Sequence, residues 1–407
     1  MIQAGDTAFI LICAALVLLM TPGLALFYGG MVRRKNVLGT LMQSFIMISL
    51  VTIEWVYLGY SMSFGPDVSG LIGDLSWAGL AGVGAAPNPD YAPTIPHAVF
   101  MIYQCMFAVI TPALITGAFA ERVRFSSFVV FSVAWAVLVY NPACHWVWGN
   151  GGFLKAMGVL DFAGGIVVHL TCGAAALASV MVIGPRKDHG RRQFFPHSLP
   201  MTLLGTGLLW FGWFGFNAGS ALAADAVAGS AFVATHLGGM AGMAMWTVVE
   251  WIYQGKPTTL GAASGAVAGL ATITPAAGFV TANSAVLIGL TAGFCCYWAV
   301  VLKSKLRFDD SLDVVGIHGL GGVIGTLMAG LLATKGVNPN GADGLFYGNA
   351  AQLGIQALGI AVVGAYAFAV SYVLLKLVNA FMGLRVSPEN EGIGLDVAEH
   401  NEAAYSE

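Results

Sequence analysis

Two stretches of the sequence each place one histidine inside an apolar segment. Residues 161–173 read DFAGGIVVHLTCG, and residues 310–322 read DSLDVVGIHGLGG. In both stretches an aspartate stands eight positions before the histidine, and Gly173 matches Gly322. This recurrence predicts a weak internal repeat, in which the two halves of the chain follow one design.

The composition places the chain in a membrane. Of its 407 residues, 57% are hydrophobic and 9% are charged, whereas a soluble domain carries about 25% charged residues. Long apolar runs recur from Thr7 to Phe381 with no soluble-looking block between them. The runs lack the alternation of barrel strands, so helices must satisfy the backbone polar groups in lipid. We therefore predict an all-α polytopic membrane protein.

Eleven apolar runs are candidates for transmembrane helices. About 20 helical residues cross the roughly 30 Å of hydrocarbon in a bilayer. The long runs are 7–32, 38–64, 97–119, 125–142, 161–184, 199–221, 229–253, 280–303, 313–333 and 350–383, and a shorter one is 260–274. The prediction is a transmembrane domain of residues 1–383 with eleven helices, followed by a cytoplasmic tail of residues 384–407.

The distribution of Lys and Arg sets the predicted orientation. When alternate loops are compared, fourteen of the seventeen basic residues fall on one side: Arg33, Arg34, Lys35, Arg122, Arg124, Arg186, Lys187, Arg191, Arg192, Lys256, Lys303, Lys305, Arg307 and Arg385. Lys155 and Lys335 fall on the other side, and Lys376 lies in the last helix. The positive-inside rule then places the N-terminus outside and the C-terminus in the cytoplasm. Eleven crossings satisfy this orientation because the number is odd.

Five predicted helices separate the two histidine stretches. An odd repeat length reverses the direction of the chain, so the two copies should run antiparallel across the membrane. This is a 5+5 inverted repeat, a design whose substrate site lies near the midplane at the interface of the repeats. The eleventh helix then stands outside the repeat as a flanking element.

His169 and His318 sit midway along their apolar segments. An ionisable group in a membrane interior is costly, so it indicates function. In the predicted repeat the two imidazoles face each other, and one neutral ring can donate an N–H that the other accepts. Such a pair offers hydrogen bonds to a small polar molecule without a fixed charge. The alternatives are a His–His bond that only joins the repeats, and a metal site, for which no further ligands are placed nearby.

Aromatic residues cluster where the predicted helices reach the outer side. The cluster comprises Tyr103, Phe107, residues 145–148 and residues 210–216. Belts of Trp and Tyr at the membrane interface are one explanation. Phe107 and Phe216 lie on different halves of the chain beside Gly and Ser, which also suits a ring-lined constriction. Aromatic faces bind an ammonium-like cation with about 0.5–2 kcal/mol or more.

Two acidic residues lie in or at the predicted helices. Asp161 begins its helix just below the outer surface, where a carboxylate can accept backbone N–H bonds as a cap. Its charge also favours a cation on the outer side, so both roles can hold. Glu54 lies inside the second helix without an obvious partner in sequence, and we expect it to be protonated or paired at a subunit contact.

Five motifs together resemble the ammonium transporter (Amt/Mep/Rh) family. They are FYGGMVRRKN at 27–36, AFAER at 118–122, DFAGGIVVH at 161–169, WFGWFGFNAGS at 210–220 and GIHG at 316–319. The resemblance spans essentially the whole chain and is closest to bacterial and archaeal Amt proteins. The motifs are highly specific in combination, although no single one is.

The resemblance implies a homotrimer in the cell inner membrane, with one pore in each subunit. By position, Phe107, Trp148 and Ser220 match the family's outer recruitment site for ammonium, and Asp161 matches the acidic residue that supports this site from beneath. Phe107 with Phe216 matches the stacked gate below it. Two departures concern the outer site: Tyr103 and Glu54 stand where Phe and an apolar residue are expected.

His169 and His318 match the twin-histidine pair of the family's pore. A bare ammonium ion would cost tens of kcal/mol to move into an apolar pore, more than a few aromatic contacts return. We therefore expect ammonium, or methylammonium as its analogue, to be deprotonated near the gate and to pass as ammonia, with or without net charge transfer. An alternative is an ammonium sensor coupled to a signalling partner. No enzyme, cofactor, metal or nucleic-acid partner is expected.

The tail from residue 384 onwards is acidic. Its acids are Glu389, Glu391, Asp396, Glu399, Glu402 and Glu407, against one Arg385. GLRVSP at 383–388 and GLD at 394–396 resemble the family's regulatory segment, which helps to receive a trimeric PII-type signalling protein. We expect the acids to pair with Arg186, Lys187, Arg191 and Arg192. The alternative is a solvated, loosely ordered tail.

Overall fold

A computed structural model describes residues 1–306 and 308–405 of the chain. Arg307 and Glu407, two of the charged residues assigned to the cytoplasmic side above, lie outside the described residues. Helices make up most of the described chain, and one short hairpin lies in the long connection between the second and third apolar spans. The all-α prediction is confirmed.

Sixteen α-helices are present in the described residues. Their bounds are Ala4–Met31 (α1), Val37–Glu54 (α2), Tyr60–Phe64 (α3), His97–Phe119 (α4), Phe125–Trp135 (α5), Asn141–Trp148 (α6), Phe153–Ala156 (α7), Thr171–Ile183 (α8), Leu199–Ala218 (α9), Ala226–Gln254 (α10), Thr259–Ile273 (α11), Ala282–Lys305 (α12), Leu320–Leu332 (α13), Ala351–Met382 (α14), Pro388–Ile393 (α15) and Leu395–His400 (α16). The hairpin pairs Asp67–Val68 (β1) with Ile72–Gly73 (β2) in antiparallel fashion.

The predicted number of eleven apolar helices is also confirmed. Among the described residues, 10 helical stretches are long and apolar enough to cross a membrane, and α11 is a shorter apolar helix. The largest difference in bounds concerns the run predicted at 125–142, which continues as helix to Trp148, the end of α6. Pro142 does not end it. This residue follows the π-helical segment Ala136–Tyr140, where the regular α-helical hydrogen-bond pattern is already interrupted.

Four π-helical segments lie within or at the start of the membrane spans. They are Trp55–Gly59, Ala136–Tyr140, Gly165–Leu170 and Val315–Gly319. A π-helical turn inserts an extra residue and re-aims the side chains around it, and such turns are frequent at functional sites. Two of these segments contain the histidines of the repeat, and the other two adjoin Glu54 and Asn141.

The two histidine stretches form the same local structure. Asp161 precedes the π-helical segment Gly165–Leu170 and then α8, and Asp310 precedes Val315–Gly319 and then α13. Both of these α-helices have 13 residues. Each aspartate accepts hydrogen bonds from backbone N–H groups at the start of its segment. The repeat read from the sequence therefore corresponds to a repeated structural unit.

Several helices begin at a residue whose side chain accepts a backbone hydrogen bond. Examples are Ser198 at the start of α9, Asp225 at the start of α10, Thr258 at the start of α11 and Thr281 at the start of α12. These caps satisfy N–H groups that would otherwise be unpaired at the helix start. They explain why these helices begin within a few residues of the predicted bounds.

Glycine allows the long helices to approach closely. A Cβ atom at Gly205 of α9 would lie 2.3 Å from the backbone nitrogen of Phe27 in α1. A Cβ atom at Gly289 of α12 would lie 2.3 Å from the carbonyl oxygen of Gly238 in α10. Helices in lipid gain no hydrophobic free energy by associating, so their contacts depend on close packing. Small residues at such crossings allow the helix backbones to touch.

A buried ion network lies at the end of the bundle that carries the tail. Arg186 donates to Asp309 at 2.7 Å and to Glu121 at 2.9 Å, and Arg33 donates to Glu121 at 3.0 Å. Burial alone would raise the pKa of the Glu121 carboxyl, but Arg186 and Arg33 hold this pKa below its usual value. The expectation that Arg186 pairs with the acidic tail is therefore wrong. Its two partners are 65 and 123 residues away in sequence, beyond the reach of local patterns.

The tail packs against the helical bundle. Asp396 accepts from the backbone N–H of Gly39 at 2.9 Å, and the N–H of Leu395 donates to the side chain of Asn36 at 2.8 Å. Glu399 accepts from the N–H of Phe125. Among the residues predicted to bind the tail, Lys187 contacts it through its backbone N–H, which donates to Glu391.

Candidate functional site

The two histidines of the repeat meet in the interior of the bundle. Nδ1 of His318 lies 3.2 Å from Nδ1 of His169, and the ring planes are 19° apart. Both side chains are almost fully buried. Because a neutral imidazole carries one N–H, one ring donates the shared proton and the other accepts it. The pair can therefore reverse its polarity by exchanging tautomers without acquiring a charge.

A narrow cavity of about 10 Å³ lies against this pair. Its lining is mostly apolar and includes Trp213, Phe216, Leu114 and Val267. Nε2 of His169 is buried and has no hydrogen-bond partner among the described residues. It is a polar atom that a small molecule in the cavity could bind, and a site of this volume holds about one water-sized molecule.

Phe216 and Phe107 close the space above the histidines. Their ring centroids lie 4.3 Å apart at an angle of 39°, and both side chains are buried. The ring of Phe216 also stacks on His169, with 6.2 Å between centroids. The two phenylalanines, from α4 and α9, thus lie between the histidine cavity and a second cavity that Phe107 also lines.

The predicted outer-site residues line a second cavity, of about 180 Å³. Phe107, Trp148 and Ser220 are all part of its wall. The ring of Phe107 lies 5.9 Å from that of Trp148 at nearly a right angle. Two aromatic rings and a hydroxyl therefore surround a space that fits a small cation. We call this cavity the vestibule.

Tyr103 fixes one side of the vestibule. Its hydroxyl lies 3.3 Å from the hydroxyl of Ser220 and donates to the carbonyl of Phe216 at 3.0 Å. The departure from the expected Phe at this position thus adds a hydrogen bond to the wall. The backbone of Leu222, which also lines the vestibule, is left-handed with φ of 61°, a conformation that costs a non-glycine residue energy.

Asp161 lies beneath the vestibule and caps the histidine segment. Its two carboxylate oxygens accept from the N–H groups of Gly164, Gly165, Ile166 and Val167 at 2.6–3.0 Å. Trp148 is tied to the same residue, because its indole N–H donates to the carbonyl of Asp161 at 2.8 Å. Asp161 therefore joins the vestibule to the His169 segment through backbone contacts.

Two charged residues of the vestibule were not singled out from the sequence. Lys155 and Asp90 both line it, and the ammonium of Lys155 donates to Asn150 at 2.6 Å and to the carbonyl of Trp148 at 3.0 Å. Lys155 lies in α7, a short helix that follows the aromatic residues 145–148. Its closeness to Trp148 in the sequence is the feature that could have indicated a place in the same wall. A cation fixed in the wall stiffens the backbone of Trp148.

Glu54 lines neither the vestibule nor the histidine cavity and has a partner in the same chain. Its Oε1 atom accepts from the side-chain amide of Asn141 at 2.8 Å, and its Oε2 atom is buried without a partner among the described residues. The side chain is buried inside the subunit. This contact could not be predicted from local sequence patterns, because 87 positions separate the two residues.

Comparison with known proteins identifies the family of the chain. A sequence model of the Ammonium Transporter Family matches residues 8–405. The chain belongs to the ammonium transporter family. It is 54% identical over 406 residues to the ammonium transporter of Bacillus subtilis (strain 168), covering 100% of this chain and 99% of the relative.

Solved structures of the family share the fold. The crystal structure of Saccharomyces cerevisiae Mep2 has a TM-score of 0.89 at 37% identity, and the match covers 95% of this chain and 91% of that one. A structure described as a sensor Amt protein has a TM-score of 0.89 at 29% identity, covering 97% of this chain and 98% of that one. The identification as an Amt-type protein from sequence motifs is confirmed, and the chain is a multi-pass membrane protein.

Proposed function

We propose that this ammonium transporter binds ammonium in the vestibule, deprotonates it and conducts ammonia past the twin histidines. The observation that carries the proposal is the position of His169 and His318, in hydrogen-bond contact beneath two phenylalanine rings that touch each other. An apolar wall with a few hydrogen-bonding atoms suits a neutral polar molecule and disfavours an ion.

The first step is capture of the cation. Phe107 and Trp148 contribute aromatic rings and Ser220 contributes a hydroxyl to the wall of the vestibule, and such groups attract ammonium. Potassium is similar in size and charge, so the vestibule alone separates the two cations poorly. Discrimination must come from a later step.

The second step is loss of a proton at the gate. Transfer of a bare ion from water into an apolar medium costs tens of kcal/mol in an idealised estimate, whereas the aromatic contacts return about 2 kcal/mol or somewhat more. Ammonium escapes this cost by leaving its proton with water on the vestibule side. Potassium has no proton to lose, so the Phe107–Phe216 pair excludes it.

The third step is passage along the imidazoles. Ammonia both donates and accepts hydrogen bonds, and the pair of neutral rings offers both functions because the shared proton can lie on either ring. The unpartnered Nε2 of His169 supplies a further contact. The polar atoms offset the loss of hydration, and the surrounding apolar wall keeps ions out.

The setting of the transporter is part of the same proposal. We place it in the cell inner membrane as a homotrimer with the N-terminus outside, with the tail in the cytoplasm and a PII-type protein as its partner. The orientation is supported by the basic residues near the tail, and the trimer by the resemblance to the family.

A sensor is the second candidate function. The likeness to a structure described as a sensor Amt protein covers nearly all of this chain, so the same architecture is found in a protein with that description. A sensor would bind ammonium in the vestibule and change the contacts of the tail without sustained flux.

Uptake by reconstituted protein separates the two candidates. Purified protein in liposomes should accumulate radioactive methylammonium along an inward gradient, and ammonium should compete with it. Currents recorded from the same proteoliposomes show whether charge moves with the substrate. Binding of methylammonium without uptake would favour the sensor and contradict transport.

A further inference from the structure

A third cavity, which is rich in positive charge, lies near the tail and shares no lining residue with the vestibule or the histidine cavity. Three segments of the chain enclose it: the connection between α1 and α2, the connection between α8 and α9, and the tail. Its volume is about 430 Å³. Its basic lining residues are Arg33, Lys35, Lys187 and Arg192. We name it the tail pocket and propose that it binds a phosphate group.

The carboxylates of the tail pocket leave most of this charge unbalanced. Glu391 lines the pocket, but its Oε2 atom accepts from Arg385 at 2.7 Å, and Arg385 is not part of the lining. The side chain of Glu391 is nearly fully buried in this pairing. Arg33 is paired with Glu121, which also lies outside the lining. Asp188 is then the one acidic residue of the described lining outside an ion pair, against three such cations: Lys35, Lys187 and Arg192.

Arg33 contributes an unused hydrogen-bond donor. Its Nε atom donates to Glu121 at 3.0 Å, and its guanidinium stacks on the ring of Phe194 at 4.6 Å, so the group is held in one plane. Its Nη2 atom is buried and has no hydrogen-bond partner among the described residues. A buried donor without an acceptor is costly, and a planar guanidinium is well suited to phosphate oxygens.

The side-chain ammonium groups of the two lysines contact carbonyl groups of the tail and form no ion pair with a carboxylate of the described residues. Nζ of Lys35 donates to the backbone oxygens of Glu391 and Gly392. Nζ of Lys187 lies 3.4 Å from the oxygen of Pro388. Carbonyl dipoles satisfy hydrogen bonds but leave the formal charges in place. Arg192 is exposed and has no ion pair within the described part of the chain.

Phosphate fits this arrangement better than a carboxylate does. Its tetrahedral oxygens can meet cations from several directions, and its charge of up to two matches the excess in the lining. A phosphate bound here would bridge two connections of the bundle to the tail. Its binding would therefore stabilise the docked tail without contacting the transport path.

The phosphate could come from a soluble phosphate ester or from a lipid headgroup. Arg33 lies two residues beyond Met31, the last residue of the membrane-spanning helix α1, so the pocket lies close to the membrane surface. Basic residues just beyond a membrane helix attract anionic headgroups. Both sources present the same group, and the experiment must distinguish them.

The test measures binding to the full-length protein after removal of bound lipid. Inorganic phosphate and ATP are titrated against the protein in detergent at about 0.15 M salt, where nonspecific attraction is screened. A parallel series uses nanodiscs with or without phosphatidylglycerol, and native mass spectrometry of the released complexes shows which lipids are retained.

The variants test the charge of the pocket. The double variant Lys187→Gln/Arg192→Gln removes two exposed cations of the pocket. Arg191→Gln is the matched control, because Arg191 is exposed in the same connection but does not line the pocket.

We expect saturable binding that weakens about tenfold or more in the double variant and is unchanged in the control. Binding of phosphate or ATP without lipid identifies a soluble ester as the ligand. Retention of phosphatidylglycerol alone, lost in the double variant, identifies the headgroup. Absence of saturable binding in both series, or equal weakening in the control, overturns the proposal. Gel filtration of each variant shows that it remains folded.

Discussion

Gly173 of α8 packs directly against Gly319 of the second histidine segment. A Cβ atom at Gly173 would lie 2.2 Å from the Cα atom of Gly319, closer than any side-chain carbon can approach a backbone atom. The same crossing holds His169 and His318 within hydrogen-bond distance. The contact between the two repeats therefore requires glycine at position 173, because a side chain would not fit there. The relative position of the two histidines depends on this contact.

Gly173→Ala should therefore destabilise the protein and separate the histidines. Relief of the clash requires movement of backbone, which typically costs about 1–3 kcal/mol. Thermal unfolding in detergent measures the loss, and methylammonium uptake reports the pore. The control is Gly354→Ala in α14, where a Cβ atom meets nothing within 4 Å and alanine should be neutral or stabilising. Equal stability of the two variants would contradict the close approach.

His169→Ala and His318→Ala should leave a folded protein with an impaired pore. Each removes a hydrogen-bonding group from the cavity, and an unmade buried hydrogen bond to the passing molecule costs about 1–3 kcal/mol, which corresponds to about 5- to 150-fold in flux. Uptake and potassium permeability are measured in the same liposomes. Wild-type flux with unchanged ion selectivity in both variants would show that the pair only joins the repeats.

Phe107→Ala and Ser220→Ala should weaken capture more than maximal transport. For Phe107→Ala, loss of a cation–π contact of about 0.5–2 kcal/mol raises the half-saturation concentration by about 2- to 30-fold. Ser220→Ala removes one hydrogen-bond acceptor of about 0.5–1.5 kcal/mol, so its half-saturation concentration should rise by about 2- to 13-fold. The dependence of uptake on external methylammonium separates the two parameters. Phe211→Ala is a suitable control, because this residue lies on α9 like Phe216 but is 56% exposed on the outside of the bundle. A half-saturation concentration that stays the same in both vestibule variants would argue against the site.

Glu54 should act as a neutral hydrogen-bond acceptor that positions α6. It accepts from Asn141, the first residue of the helix that ends at Trp148. A carboxylate inside a membrane segment without a cation is costly, so we expect the protonated acid. Glu54→Gln, which keeps the acceptor, should cost less than about 1 kcal/mol. Glu54→Ala should cost about 2–4 kcal/mol through the cavity and the unpaired amide.

Thermal unfolding of both variants, with uptake as a second measurement, checks this assignment. The pairing predicts that Glu54→Leu combined with Asn141→Leu recovers part of the stability lost in Glu54→Ala, because apolar groups replace both partners. If Glu54→Gln destabilised the protein as strongly as Glu54→Ala, the side chain would have to be ionised.

The features that were predictable from the sequence rest on local patterns. Apolar runs of sufficient length located the helices, and eight-residue spacing from Asp161 to His169 and from Asp310 to His318 located the repeated unit. A carboxylate at the start of a helix has backbone donors close by, so capping by Asp161 followed from its position.

The missed features depend on distant partners. The contact of Glu54 with Asn141 and the pairing of Arg186 with Asp309 each join separate helices or connections, and no spacing rule identifies them. The π-helical segment at Ala136–Tyr140 has no sequence signal of its own, because packing in the bundle decides where an extra residue is inserted.

The docked tail gives the last prediction. Asp396 of the tail accepts from the N–H of Gly39. The N–H of Leu395 donates to the side chain of Asn36, and the amide of Asn36 donates in turn to Glu121. The tail is therefore connected to the buried ion network. Truncation after residue 383 removes these contacts and exposes the start of α2. We expect it to abolish binding of the PII-type partner and to lower uptake, because the connection between α1 and α2 loses its support.

The matched control is truncation after His400, which keeps α15 and α16 and the contact of Asp396. Pull-down with the PII protein of the same host and uptake in liposomes are measured for both. A regulatory tail predicts that the longer form behaves as the full chain and the shorter form does not, since Leu395, Asp396 and Glu399, which bond to the bundle, lie between these two ends. Survival of both binding and flux in the shorter form would mean that the tail packs on the bundle without controlling it.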